Sequence, residues 1–156
     1  MNFKNNQRFW KFVTFFGSIG IIFLIFLLWI LAWKSHKILI FTIAVLILED
    51  IIGGLIKLTF FKHRPIPQSF SNIIQKIDAG SFPSIHSARS FSLFLISCIF
   101  AIWPYCIVFL IFWILIALSR VYLSKHFWID ILGWVLLSTS VVFLIYLIAS
   151  YSTFLT

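Results

Sequence analysis

Residues 85–119 read IHSARSFSLFLISCIFAIWPYCIVFLIFWILIALS, an apolar stretch whose one formal charge is Arg89. At about 1.5 Å of rise per residue, a single helix of that length overruns a hydrocarbon core of about 30 Å, so the stretch has to turn back on itself. Trp103-Pro104-Tyr105 is the place for the turn, because proline suits a turn or a first helical position and aromatic rings favour the membrane interface. Two short spans follow, about Ile85 to Trp103 and Tyr105 to Tyr122.

Beyond them, a further span runs from about Phe127 to Ala149. On the other side Ile38 to Phe60 is apolar but interrupted by Glu49, Asp50, Gly53, Gly54 and Lys57. Asp50, Gly53, Gly54 and Lys57 fall at i, i+3, i+4 and i+7, so on a helix they share one face, which should look into the protein. Phe12 to Trp33 is an uncharged run of 22 residues, too long for a signal-peptide core and without a clear cleavage site, and is expected to stay as the first helix. Phe61 to Phe82 is the one long polar loop. Within it Phe70, Ile73, Ile74 and Ile77 keep helical spacing, which fits a short helix lying in the interface with Lys76 and Asp78 outward, or an ordinary loop with buried anchors. The expected fold is all-α: a polytopic membrane helical bundle of about five transmembrane helices plus a short interfacial helix, in one domain over residues 1–156, with no internal repeat.

Composition agrees. The chain is 62% hydrophobic and 10% charged, with a mean hydropathy of +1.11, far from a soluble domain. A net charge of +8 raises the question of nucleic acid, but the basic residues sit at the ends of apolar segments and not along one polar face. No nucleic-acid partner is expected. Anionic lipid head groups fit better. Cys98 and Cys106 lie inside an apolar stretch without metal-ligand spacing and are expected to pack as small apolar residues.

Against this background ten residues in three groups stand out: Lys57, Arg64 and Pro65; Pro83, Ser84 and His86; Ser119, Arg120, His126 and Asp130. Ionisable groups near bilayer depth are costly unless they have a function. Five spans bring all three groups to one membrane face. Aromatic residues support that layout, with Trp10, Tyr122 and Trp128 belting the site side and Trp29, Trp33, Trp103 and Tyr151 the other. Taken singly, Lys57 and Arg64 are ordinary snorkelling cations and Ser119 a helix-packing residue. His126 with Asp130 alone would be an interfacial hydrogen-bonded pair or half of a metal site.

Read together, Lys57-x6-Arg64-Pro65, Pro83-Ser84-Ile85-His86 and Ser119-Arg120-x5-His126-x3-Asp130 resemble, in order and spacing, the three-part signature of the type 2 phosphatidic acid phosphatase superfamily. The resemblance covers Lys57 to Asp130. It implies a helical membrane enzyme that needs no metal or other cofactor. His126 would be the nucleophile, giving a phosphohistidine, and Asp130 one turn on would orient its ring. His86 would be general acid and then base. Lys57, Arg64 and Arg120 would neutralise the phosphoryl oxygens, with Ser84 and Ser119 completing the phosphate site. The implied substrate is a lipid phosphate or diphosphate whose tail stays in the membrane bilayer.

One position departs from the pattern: Ile85 stands where glycine is usual. Glycine tolerates positive φ and a close ligand, and a β-branched residue does neither. Bulkier residues there also occur in relatives that transfer to an alcohol, so the acceptor, water or alcohol, stays open, with hydrolysis preferred. A non-catalytic protein binding anionic lipids is the reading from a different class. Asp50 is expected to partner Lys57, with a direct catalytic role as the alternative. Arg89, one turn beyond His86, either binds a second phosphate or pairs with Glu49 or Asp50. His36 and His63 are ordinary interface residues.

Orientation is set by two opposed signals. Lys4, Arg8, Lys11, Lys62, Lys76 and Lys125 fall on the site side and Lys34 and Lys37 on the other, so the positive-inside rule puts the site on the cytoplasmic side of a cell membrane. Relatives often carry it on the opposite face, with six helices; this chain is expected to lack one at its N-terminus. The oligomeric state is not specified by the sequence.

Overall fold

The computed structural model describes residues 3–17, 27, 36–100 and 103–152. Six helices occur among them, and no strand: α1 Phe3–Phe16, α2 His36–Thr59, α3 Ile73–Ala79, α4 Ile85–Ile99, α5 Trp103–Tyr122 and α6 Trp128–Tyr151. Three of these regions are long and apolar enough to cross a membrane: His36–Thr59, Tyr105–Tyr122 and Trp128–Tyr151, with the shorter apolar α4 between the first two. The protein is an integral membrane helical bundle.

Helix α4 sits at the centre, packed against α2, α5 and α6. Its sequence allows this. Ser87, Ala88, Ser90, Phe91, Ser92 and Leu93 are all buried, so the helix is enclosed around its circumference, and small residues let neighbouring backbones come close. Trp113 on α5 donates its indole N–H to Ser87 Oγ at 3.1 Å. Ser92 donates to the fully buried Glu49 on α2. The apolar core lies toward the other end of the bundle, where Phe41, Val45, Leu93, Ile96, Phe109, Val141 and Val142 pack together. The outer faces carry Ile40, Ile47, Ile51 and Leu55 on α2 and Ile129, Leu132, Leu136 and Phe143 on α6, an apolar exterior suited to lipid.

Several boundaries differ from expectation. α4 stops at Ile99, not at Trp103, and α5 starts at Trp103 with Pro104 in its first turn, where a missing N–H breaks no helical bond. The first span expected over Phe12 to Trp33 falls largely outside the described residues. What is described, α1, begins at Phe3 and packs on α5, with Trp10 against Tyr122 at 5.2 Å between ring centroids. The loop helix α3 begins at Ile73, because Asn72 accepts from Gln75 N at 2.8 Å and caps it there; Phe70 lies before it. Ile73 and Ile74 are exposed, as is Asp78, whereas Lys76 is half-buried and lies over the Phe61 ring at 5.9 Å.

The shared face on α2 is only partly inward. Gly53 and Lys57 are buried. A Cβ at Gly53 would come within 2.7 Å of the Trp134 ring, whereas one at Gly54 would meet nothing within 4 Å.

Candidate active site

Three helix ends and two connecting segments meet where the polar groups gather. The C-terminal end of α2 supplies Lys57, the start of α4 supplies His86, the end of α5 supplies Arg120, and the segments between helices supply Arg64 and His126. Together with Arg89 these residues line a cavity of about 270 Å³, whose apolar wall is Ile74 and Ile77 of α3 and Ile85. Lys57, Arg64, Arg120 and His126 are all nearly inaccessible, between 2% and 7% exposed. Lys57 and Arg120 have no carboxylate partner among the described residues and Arg64 has only the exposed Asp78, at 3.7 Å, so these buried cations favour an anion in the space between them.

His126 is the best-defined member. Its Nδ1 lies 2.6 Å from the carbonyl oxygen of Ser81, and its Nε2 lies 3.2 Å from a guanidinium nitrogen of Arg120. A carbonyl only accepts and a guanidinium only donates, so this geometry assigns the proton to Nδ1 and leaves the lone pair on Nε2. Burial, reinforced by the charges of Arg120 and Lys57, pushes the imidazole pKa down to about 2. The ring is therefore neutral, with its unprotonated Nε2 facing Arg120. The backbone reaches this position through a tight turn after α5 in which Ser124 adopts φ 54°, a left-handed conformation uncommon for a residue with a side chain. Main-chain N–H groups of Lys125 and His126 both donate to the Arg120 carbonyl, at 3.0 and 3.2 Å.

Asp130 is fully buried in the first turn of α6. Its carboxylate is 3.9 Å from His126 Nδ1, beyond hydrogen-bonding range. Instead it accepts from Ser81 Oγ, from Phe127 N at 2.8 Å and from Lys62 Nζ at 2.6 Å. The Phe127 bond caps α6, where a negative charge complements the helix dipole. Asp130 thus reaches the imidazole through Ser81, which donates its hydroxyl to the carboxylate and offers its carbonyl to the ring. Neither Ser81 nor Lys62 was singled out from the sequence. A serine two residues before Pro83 was a visible signal; a main-chain acceptor has no side-chain signature.

The remaining expected residues divide. Arg64 is pinned by Asp78, whose main-chain carbonyl it meets, and by Gln68 Oε1 at 2.7 Å. Its Nε, like that of Arg120, is buried with no hydrogen-bond partner among the described residues. Ser84 precedes α4 and is fully buried with its hydroxyl unpartnered among the described residues; it does not line the cavity. Ser119 faces elsewhere: its hydroxyl is 2.7 Å from Thr14 Oγ1 and donates to Ile116 O at 2.6 Å, tying α5 to α1. Ile85 is the first residue of α4, where the backbone is helical. Its effect on the cavity is one of side-chain bulk and not of backbone strain.

The expected Asp50–Lys57 pair does not form. Asp50 is bound instead by Arg89 of α4, which donates through Nε at 3.1 Å and through Nη2 at 2.8 Å to each carboxylate oxygen. Positions seven apart on one helix are separated by about 10 Å along the axis, while an arginine on the neighbouring helix reaches across directly. Among the described residues no three of His, Cys, Asp and Glu gather closely enough to hold a metal ion.

Comparison with known proteins identifies the family. A family model described as the PAP2 superfamily matches residues 37–154, which takes in α2 to α6 and every residue of the cavity. No match is found among curated proteins or among solved structures. A match over that much of the chain settles the family: the protein belongs to the PAP2 superfamily of membrane phosphatases, enzymes acting on phosphorylated substrates.

Proposed function

We propose that the protein is a lipid phosphatase that removes the terminal phosphate of a lipid phosphate or diphosphate through a phosphohistidine. The observation that carries the proposal is the arrangement of the His126 ring, with Nδ1–H held by Ser81 O at 2.6 Å and Nε2 presented beside Arg120 in a cavity of cations.

In the first step Nε2 attacks phosphorus and the bond to the leaving oxygen breaks, its electron pair passing to that oxygen, which takes a proton from His86. Arg120, Lys57 and Arg64 neutralise the phosphoryl oxygens as charge builds, and the unpartnered guanidinium N–H groups are donors for them. The imidazole becomes cationic on phosphorylation, and the Ser81 carbonyl, backed by Asp130, stabilises that charge. In the second step His86 takes a proton from water, whose oxygen attacks phosphorus; the P–Nε2 bond breaks, its electron pair returns to Nε2, and inorganic phosphate is released.

A lipid is favoured by the cavity's border. Ile74, 79% exposed, and Ile77 offer an apolar wall beside the cations, so a tail can lie against α3 and the bilayer while the head group enters. The excess of basic residues near this end of the bundle favours a site on the cytoplasmic side of a cell membrane.

The test is phosphate release in detergent from a panel of lipid phosphates, without added metal, comparing the native chain with His126→Ala and His86→Ala. Turnover by the native protein, with none by His126→Ala, is the expected result. Full turnover by His126→Ala rules out the nucleophile. A phosphorylated product formed from an added alcohol, with little free phosphate, identifies a transferase in which the bulk of Ile85 helps to exclude water.

A further inference from the structure

Arg89 is a cavity residue that the phosphatase mechanism above leaves unused. It lies three residues after His86 on α4, so the two side chains project on neighbouring lines of the helix, about 4.5 Å apart along its axis. Both line the cavity. Because α4 runs from the site into the bundle, Arg89 is the deeper of the two.

Its guanidinium is held rigidly. Asp50 on α2 occupies the Nε and Nη2 edge with contacts of 2.8 to 3.1 Å, and Nη1 has no hydrogen-bond partner among the described residues. A guanidinium has five N–H donors in a fixed fork. One edge is thus spent on orientation and the other is left for a ligand. A pair serving only to join α2 to α4 would not need to border a cationic cavity. At 12% exposure the Arg89 side chain still has access to it.

The direction of the reaction says which group Arg89 would meet. Nucleophile His126 marks one side of the transferred phosphoryl group and acid His86 marks the leaving oxygen. With His86 at the leaving oxygen, Arg89, three residues further into α4, falls on the leaving-group side of the same cavity. A leaving group that needs a cation there is itself a phosphate.

We propose that Arg89, positioned by Asp50, forms a second phosphoryl subsite for the proximal phosphate of a lipid diphosphate, making a diphosphate the preferred substrate. This rests on the phosphatase reading. The terminal phosphoryl moves to His126 Nε2, the P–O bond to the bridging oxygen breaks, and the electron pair stays on that oxygen, which His86 protonates. The product is the lipid monophosphate, and water returns His126 to its free form with release of inorganic phosphate. Arg89 lowers the barrier by binding the charge that develops on the departing phosphate.

Farnesyl phosphate and farnesyl diphosphate, with the same tail, are the probes, and the readout is the initial rate of phosphate release. The native chain should prefer the diphosphate. Arg89→Gln should reduce kcat/KM for the diphosphate by at least about tenfold more than for the monophosphate, the expected size for losing a charge-assisted hydrogen bond. Should Arg89→Gln leave Asp50 unpaired and the protein unfolded, Asp50→Asn combined with Arg89→Gln removes both charges and should show the same selectivity loss. Inhibition of monophosphate hydrolysis by inorganic pyrophosphate should weaken in these variants more than inhibition by inorganic phosphate. Equal losses on both probes overturn the subsite, and so does a native chain active on the monophosphate alone; in both cases the phosphatase reading stands. A native chain inactive on every lipid phosphate overturns both.

Discussion

The carbonyl oxygen of Ser81 lies 2.6 Å from Nδ1 of His126, while the nearest carboxylate oxygen of Asp130 is 3.9 Å away. The ring's orientation and tautomer therefore depend first on a main-chain acceptor, and Asp130 acts by holding the residue that carries it.

Asp130→Asn should accordingly slow the enzyme without silencing it. The Ser81 carbonyl remains to accept from Nδ1, so a loss of about ten- to hundredfold in kcat is expected, the usual range for a supporting residue. Initial rates of phosphate release measure it, with His126→Ala as the inactive limit. A loss as complete as that of His126→Ala would show that Asp130 contacts the ring directly during turnover.

Acid should destabilise the fold through the same histidine. His126 is held neutral, with its pKa pushed from 6.5 down to about 2, so below pH 6.5 the unfolded chain binds a proton that the folded chain does not. Stability then falls as the pH drops below 6.5 through this residue; above 6.5 it contributes no pH dependence. Thermal unfolding of the detergent-solubilised protein between pH 7 and pH 5 should show a falling midpoint, and His126→Asn should flatten the slope.

Adjacent glycines on α2 should respond in opposite directions. A Cβ at Gly53 would press on the Trp134 ring at 2.7 Å, so Gly53→Ala should destabilise the bundle by about 1–3 kcal/mol. Gly54 has open space, and Gly54→Ala should be neutral or stabilising by up to about 1 kcal/mol from helix propensity. Unfolding midpoints of the two variants, measured side by side, make the comparison.

Ser119 and Thr14 should be coupled in stability. Their hydroxyls are 2.7 Å apart and join α5 to α1, so Ser119→Ala and Thr14→Val should each cost about 0.5–1.5 kcal/mol. The double variant should cost less than their sum, and a double-mutant cycle reads the coupling. Strict additivity would remove the contact from the account of how α1 is held.

Much of this architecture was legible in the chain. The apolar run over residues 85–119 with its proline break defined the α4–α5 hairpin, and the spacing of Lys57, Arg64, His86, Arg120 and His126 anticipated the cavity. What escaped shares a physical cause. Asp50 was matched to Lys57 because the two share a helix face, yet its partner is Arg89 on another helix, and such pairings depend on how helices approach each other. Ser81 meets the ring through its main-chain carbonyl, which no residue type encodes, while its hydroxyl binds Asp130. Ser119 stands beside Arg120 in sequence, but a helix turns by about 100° per residue, which points its hydroxyl at α1.

The shortness of α4 has a consequence for the reaction's surroundings. Fifteen residues rise about 22 Å, roughly 8 Å less than the hydrocarbon core, so a bilayer of ordinary thickness cannot keep both ends of this central helix at its surfaces. Because α4 is packed among the longer α2, α5 and α6, the difference is met inside the bundle, and its His86 end starts below the level that the longer helices reach.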